Sequence, residues 1–176
     1  MRDKKAVVFC SASGNIDPRY NQAAREVVRV ACLYGYTLVS GGTVKGTMGV
    51  ISDEAVAVGG RHIGILPRFM KGLEHPGLTE TVWTDTMSER KELMRRGVNL
   101  AIALPGGIGT LDELVETLVL VKLGRLHATV VAYDVDGFWK PLEALLDHYV
   151  ETGMLDPEDR ALLHVVGSVE ELKGLL

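Results

Sequence analysis

Short apolar runs alternate along this chain with stretches of helical period, and glycine-rich turns separate the two. Residues 6–10, 37–39, 62–66, 81–83, 100–104, 129–133 and 163–166 are aliphatic or β-branched and read as strands. Between the first two, Ala23, Ala24, Val27, Val28, Val30 and Ala31 recur at helical spacing over residues 19–34, after an Asp17-Pro18 start and before Gly35. Further helices are expected over residues 48–58, stopped by Gly59 and Gly60, and over 89–96, capped within 85–88 and closed by Gly97. Others should start near Thr110, span 138–151 with Pro141 in the first turn, and fill 168–176. Strands that alternate with helices predict an α/β fold, one doubly wound parallel sheet of six or seven strands with helices on both faces, in a single domain over residues 1–176. Residues 68–79 carry glycine, proline and charge without a period and read as a mobile excursion over the site.

Three small-residue loops, 11–15, 41–46 and 105–109, follow predicted strands. In an open parallel sheet such loops meet at the carboxyl ends of the strands, where ligands bind. The last is the most informative: an apolar strand breaks at Pro105, Gly106, Gly107 and Gly109, and a helix begins with its positive end towards the same point. That is an anion site in outline. Its spacing is not G-x-G-x-x-G and no Walker lysine follows, so a monophosphate is the economical ligand.

Two features beside that loop read in two ways. Thr110 and Glu113 have capping-box spacing, in which the glutamate only closes the helix start. Alternatively, Leu111, Leu114, Val115, Leu118, Val119 and Lys122 form one face, and Glu113 projects from the other towards the anion. Leu120 and Val121 near that second face suggest cover by a partner subunit. Arg90 and Lys91 open a helix where the macrodipole disfavours cations; they are either a solvated pair or a clamp for phosphate or sugar hydroxyls.

Composition narrows the chemistry further. Hydrophobic residues make up 47%, enough for a core, and a net charge of -4 from 19 basic and 23 acidic residues leaves no basic stripe for nucleic acid. No run is long enough to span a bilayer, and residues 1–5 lead into a strand and not a signal core, so a cytoplasmic protein is expected. Cys10 and Cys32 read as reduced, buried thiols. The five histidines have no metal-ligand spacing, and Ser11, Ser13 and Ser40 lack a hydrolase elbow, so neither a metal nor a serine nucleophile is expected.

The stretch from Pro105 to Glu113 resembles the PGGxGTxxE signature of the LOG family, the cytokinin riboside 5'-monophosphate phosphoribohydrolases, and Met87-Ser88-Glu89-Arg90-Lys91 resembles its MHxRK motif. The similarity extends to Phe9, Cys10, Ser11, Gly14 and Tyr20, to Gly41, Gly42, Gly46, Met48 and Gly49, and to Gly64, Leu66 and Pro67. It implies a Rossmann-like homodimer without cofactor that hydrolyses the N-glycosidic bond of a purine nucleoside 5'-monophosphate, AMP among them, to base and ribose 5-phosphate. Arg90 and Glu113 match the catalytic pair, with Arg90 keeping Glu113 ionised. Gly106, Gly107, Gly109 and Thr110 match the phosphate loop, and Ser11, Gly42, Met87 and Lys91 match further substrate contacts. Ser88, the run from Ser40 to Thr43, and Ile108 depart from the family pattern and bear on base preference. Relatives have carried a lysine decarboxylase label, but no pattern here suits pyridoxal phosphate. The rival implication is a non-catalytic nucleotide or molybdenum-cofactor carrier on the same glycine loops.

Overall fold

Seven strands pair side by side in the order β4-β3-β2-β1-β5-β6-β7, every neighbour parallel, in a computed structural model that describes residues 4–176. The first three residues of the leader reading lie outside the described residues. The strands are β1 Lys5–Phe9, β2 Thr37–Ser40, β3 His62–Pro67, β4 Glu80–Thr84, β5 Leu100–Ala103, β6 Thr129–Tyr133 and β7 Leu163–Val166. The helices are α1 Pro18–Leu33, α2 Gly46–Ala57, α3 Met87–Arg95, α4 Ile108–Lys122, α5 Lys140–Glu151, α6 Pro157–Arg160 and α7 Val169–Lys173. This is the α/β doubly wound architecture predicted from the alternation, with seven strands; the short α6, opened by Asp156 and Pro157, is the helix not among those expected.

The strands read as continuous apolar runs because both faces are covered. Along β1, Ala6 and Val8 join the layer under α1 and α2, whereas Val7 and Phe9 join the layer that holds Met94 of α3 and Leu114 of α4. Along β5, Leu100 and Ile102 face the first layer, and Ala101 and Ala103 face the second. Period-two alternation within an all-apolar run thus feeds two cores at once.

Helix starts follow local chemistry. The Asp17 carboxylate accepts from the Arg19 N–H at 3.0 Å and opens α1. Thr86 accepts from the Glu89 N–H at 3.1 Å, while Glu89 reaches back to the Asp85 N–H at 2.8 Å, which fixes the first turn of α3. Asp134 takes the N–H groups of Gly137 and Trp139 at 2.9 and 2.7 Å and turns the chain into α5.

Residues 68–79 differ from the expectation of a mobile excursion. After a 3-10 turn at Arg68–Met70, the Val44 N–H donates to the Leu73 carbonyl and the His75 N–H to the Gly42 carbonyl, both at 2.9 Å, and Thr43 pairs antiparallel with Glu74. Main-chain bonds invisible to a periodicity argument tie the segment down as a wall.

Strand order reverses between β1 and β5, so the crevice at their carboxyl ends is the switch point where an open α/β sheet binds its ligand. Ile102, fully buried on β5, supports that point from below. Ile102→Ala should lower unfolding free energy by about 3 kcal/mol in urea denaturation, with the linear slope unchanged.

Candidate functional site

A cavity of about 450 Å³ opens at this switch point, walled by the ends of β1 and β2, the β5–α4 turn, α3, and the tied-down wall after β3. Ser11 and Ser13 enter from the first loop, Gly41 and Thr43 from the second, and Gly107, Gly109, Thr110 and Glu113 from the third. The three predicted loops therefore meet in one place.

Arg90 comes from α3 and is 7% exposed. Its Nε donates to the Ile65 carbonyl at 2.9 Å, which anchors the guanidinium and leaves its other edge towards the cavity. A Cβ at Gly41 would run into that guanidinium, and one at Gly106 would run into the Thr110 side chain. Gly41 thus makes room for Arg90 and for the Met48 sulfur, and Gly106 for Thr110. At Gly107 and Gly109 the space is open, so those two leave the cavity floor bare around the N-terminus of α4.

Glu113 projects from the second turn of α4 into the same cavity. Burial pushes its carboxyl up to about 7, with Arg90 the largest opposing influence and Asp112, Lys91 and Arg95 acting more weakly. Burial also lowers Arg90, partly offset by Glu113. The Cys10 thiol behind them is raised far above its ordinary range by burial and by the Glu113 charge, so it stays protonated and apolar in character. A partly desolvated carboxyl and a desolvated guanidinium thus share one cavity with Gly107 and Gly109 at the start of α4. Among the described residues, no group of three or more His, Cys, Asp or Glu side chains is placed to hold a metal ion.

Comparison with known proteins gives this arrangement a family. The model described as "Possible lysine decarboxylase" matches residues 48–175. The rice (Oryza sativa subsp. japonica) protein named "Probable cytokinin riboside 5'-monophosphate phosphoribohydrolase LOGL3" is 37% identical over 178 residues, covering 99% of this chain and 84% of its own. The Arabidopsis thaliana cytokinin riboside 5'-monophosphate phosphoribohydrolase LOG5 is 34% identical, covering 97% and 76%. The chain belongs to the LOG family. A solved molybdenum cofactor binding protein from Rippkaea orientalis superposes with a TM-score of 0.74 at 21% identity, covering 99% of this chain and 96% of that one, and shows that the fold is shared.

In this LOG-family chain the residues matched to the family motifs fall into two groups. Arg90, Glu113, Ser11, Gly107, Gly109 and Thr110 line the cavity. Gly42, Met87, Lys91 and Gly106 do not. Gly42 is buried, in left-handed backbone at φ 68°, and packs against Gly64 of β3, so it shapes the loop from behind. Met87 is exposed at the start of α3. Lys91 is bound to Asp112 and Glu116 of α4 at 2.8 and 2.7 Å.

Three readings of α4 change. No capping box forms: the helix begins at Ile108, two residues before Thr110, its cap position is Gly107, and no side chain caps it. The buried side of α4 is Thr110, Leu114 and Thr117, flanked by Leu111, Leu118 and Val121, so Glu113 sits at the margin of the core stripe and not opposite it. Val115 and Val119 are exposed. Finally, Arg90 does not keep Glu113 fully ionised in the open cleft, because desolvation outweighs the guanidinium.

Lys45, Met48, Met70, Leu73 and Met94 also line the cavity and were not singled out beforehand as its residues. Met94 stands one turn after Arg90, so helical spacing could have found it. Lys45 lies inside the second loop and Met48 at the start of the helix that follows it, whereas Met70 and Leu73 sit in the stretch without a period.

The raised Glu113 carboxyl makes a stability prediction. It binds its proton more tightly folded than unfolded, so between about 4.5 and about 7 the folded state holds more protons and stability falls as pH rises. Glu113→Gln should therefore be more stable than the parent at pH 8, by an amount on the order of 1–2 kcal/mol, and the gap should close by pH 4. Paired thermal melts across that range measure it; a constant difference would contradict the burial of this carboxylate.

Proposed function

We propose that this LOG-family chain hydrolyses the N-glycosidic bond of purine nucleoside 5'-monophosphates, AMP or cytokinin riboside 5'-monophosphates, and releases free base and ribose 5-phosphate. The observation that carries this reading is Glu113: a half-buried carboxyl that desolvation lifts to about 7, sharing one cavity with Arg90 and the glycine loop at the start of α4.

The chemistry follows from where the charges lie. The N-terminus of α4, with Gly107, Gly109 and Thr110, takes the 5'-phosphate and so fixes the ribose. As the bond from C1' to the base nitrogen breaks, its electron pair leaves with the purine and positive charge develops on the sugar. Ionised Glu113 stabilises that charge and accepts a proton from the water that attacks C1', as carboxylates do in glycoside hydrolysis. Arg90 anchors phosphate or sugar hydroxyls through the edge that Ile65 leaves free. The purine takes up a proton from solvent.

Two further elements belong to the proposal. An exposed apolar stripe of Ile108, Val115, Val119 and Leu123 runs along α4, the helix that carries Glu113, and supports a homodimer formed over it. Free thiols at Cys10 and Cys32 suit a reducing, cytoplasmic setting.

Fold likeness to molybdenum cofactor proteins supports the rival of a carrier without turnover. Chromatography after incubation with AMP, and separately with a cytokinin riboside 5'-monophosphate, separates the two. Free base is expected from the parent protein, and Glu113→Gln should lower kcat by about a hundredfold or more while AMP still binds. Tight nucleotide binding with no base released from either substrate would favour the carrier.

A further inference from the structure

The helices that supply the two reacting side chains sit over different parts of the sheet. α3 packs on β3 and β4, and α4 packs on β5, β1 and β6. Among the described residues, ion pairs cross from one to the other through side chains that do not line the cavity: Lys91 to Asp112 and Glu116, and Arg95 to Glu116 at 2.7 Å.

Arg95 is the unusual member. Its side chain is 7% exposed, and only Nη2 has an acceptor, while Nε and Nη1 are buried without one. The C-terminal turn of α3 explains a cation there, but not its burial. A buried arginine with donors left over contributes little net stability, and an apolar side chain of similar volume would serve a packing role as well. Its charge must therefore matter to something nearby. The ionisable side chains around Glu113 are Arg90, Lys91 and Arg95 from α3, Asp112 on its own helix and the Cys10 thiol just after β1, while Tyr133 on β6 is influenced by Glu26 and Glu171 instead.

We propose that Arg95 and Glu116 are positioning residues, an ion-pair strap that locks α3 to α4 and so sets both the placement of Glu113 opposite Arg90 and the charge around it. The proposal rests on the hydrolase reading for its effect on turnover, but the strap itself acts on Glu113 whether or not base is released. Glu116 is the pivot. Burial raises its carboxyl, hydrogen bonds from Lys91 and Arg95 outweigh that, and the net effect holds it ionised below the ordinary carboxylate range. It thereby neutralises much of the two cations before they reach Glu113.

The variants pull Glu113 in opposite directions. Arg95→Met removes a cation and should move the Glu113 titration to higher pH. Glu116→Gln leaves Arg95 and Lys91 less compensated and should move it to lower pH. A strap that mattered only for packing would loosen the cleft in both variants, admit water, and move both titrations downward together. The Glu113 carboxyl is followed by carbon NMR on glutamate-labelled protein, assigned by its loss in Glu113→Gln, in samples whose melts show them folded. Alongside it, Arg95→Met should lower kcat on AMP by about tenfold with KM changed less than kcat, and Arg95→Lys should recover most of the loss. Opposite shifts of the two titrations support the strap; shifts in one direction, or none, overturn it. A parent protein that releases no base while the titrations still split would sink the hydrolase reading and leave the strap standing.

Discussion

The partial burial of Glu113 among charged neighbours is the constraint on which the rest of the cleft depends. A fully hydrated carboxylate titrates far below neutrality; one half-buried on a cavity wall shared with Met94, Cys10 and the ends of the strands feels its charged neighbours more strongly. The sheet supplies that enclosure by reversing its strand order at β1 and β5, so that loops from both sides close over one crevice. The wall of residues 68–79 completes it through main-chain bonds to the second loop. Even the glycines are explained by what must fit beside them: Gly41 yields to the Arg90 guanidinium and Gly106 to Thr110.

Much of this was legible in the amino-acid order. Strand and helix alternation sets the doubly wound sheet because short buried strands must be apolar on both faces, and that pattern survives without tertiary information. The meeting of the glycine loops followed from topology alone. What escaped was whatever depends on a one- or two-residue offset or on contacts distant in sequence. The Thr110 to Glu113 spacing imitates a capping box, yet α4 begins at Ile108 because the open backbone at Gly107 can already serve as the cap. Separately, the buried stripe runs through Thr110, Leu114 and Thr117 and leaves Val115 and Val119 exposed, which puts Glu113 at its margin and not on the far side. The segment after β3 lacked a period because a wall held by its backbone needs none.

Electrostatics escaped for a different reason. A sequence shows that Arg90 and Glu113 can meet, but not how dry the meeting place is, and dryness decides the sign of the net effect on the carboxyl. Opposite charges nearby suggested a fixed carboxylate; the enclosure turns it into a group that is partly protonated near neutral pH. Lys91 shows the same limit. Its place in the motif suggested substrate, whereas in this chain its ammonium is held by two carboxylates of α4.

These charges also bear on what kind of protein the cleft serves. A protein that only holds a phosphorylated ligand gains from donors, a helix N-terminus and cations, and every acidic group near the anion weakens its grip. Here a carboxylate shares the cavity with the anion loop, and its desolvation destabilises the empty fold above the pH at which it ionises. Binding alone gives no return for either cost. Cleavage of a glycosidic bond does, because positive charge appears on the sugar only as the base departs, and a carboxylate with little water around it then acts most strongly. The same group that would impair the cleft as a phosphate holder is the one that would suit it to a transition state, which is the physical ground for the proposed turnover.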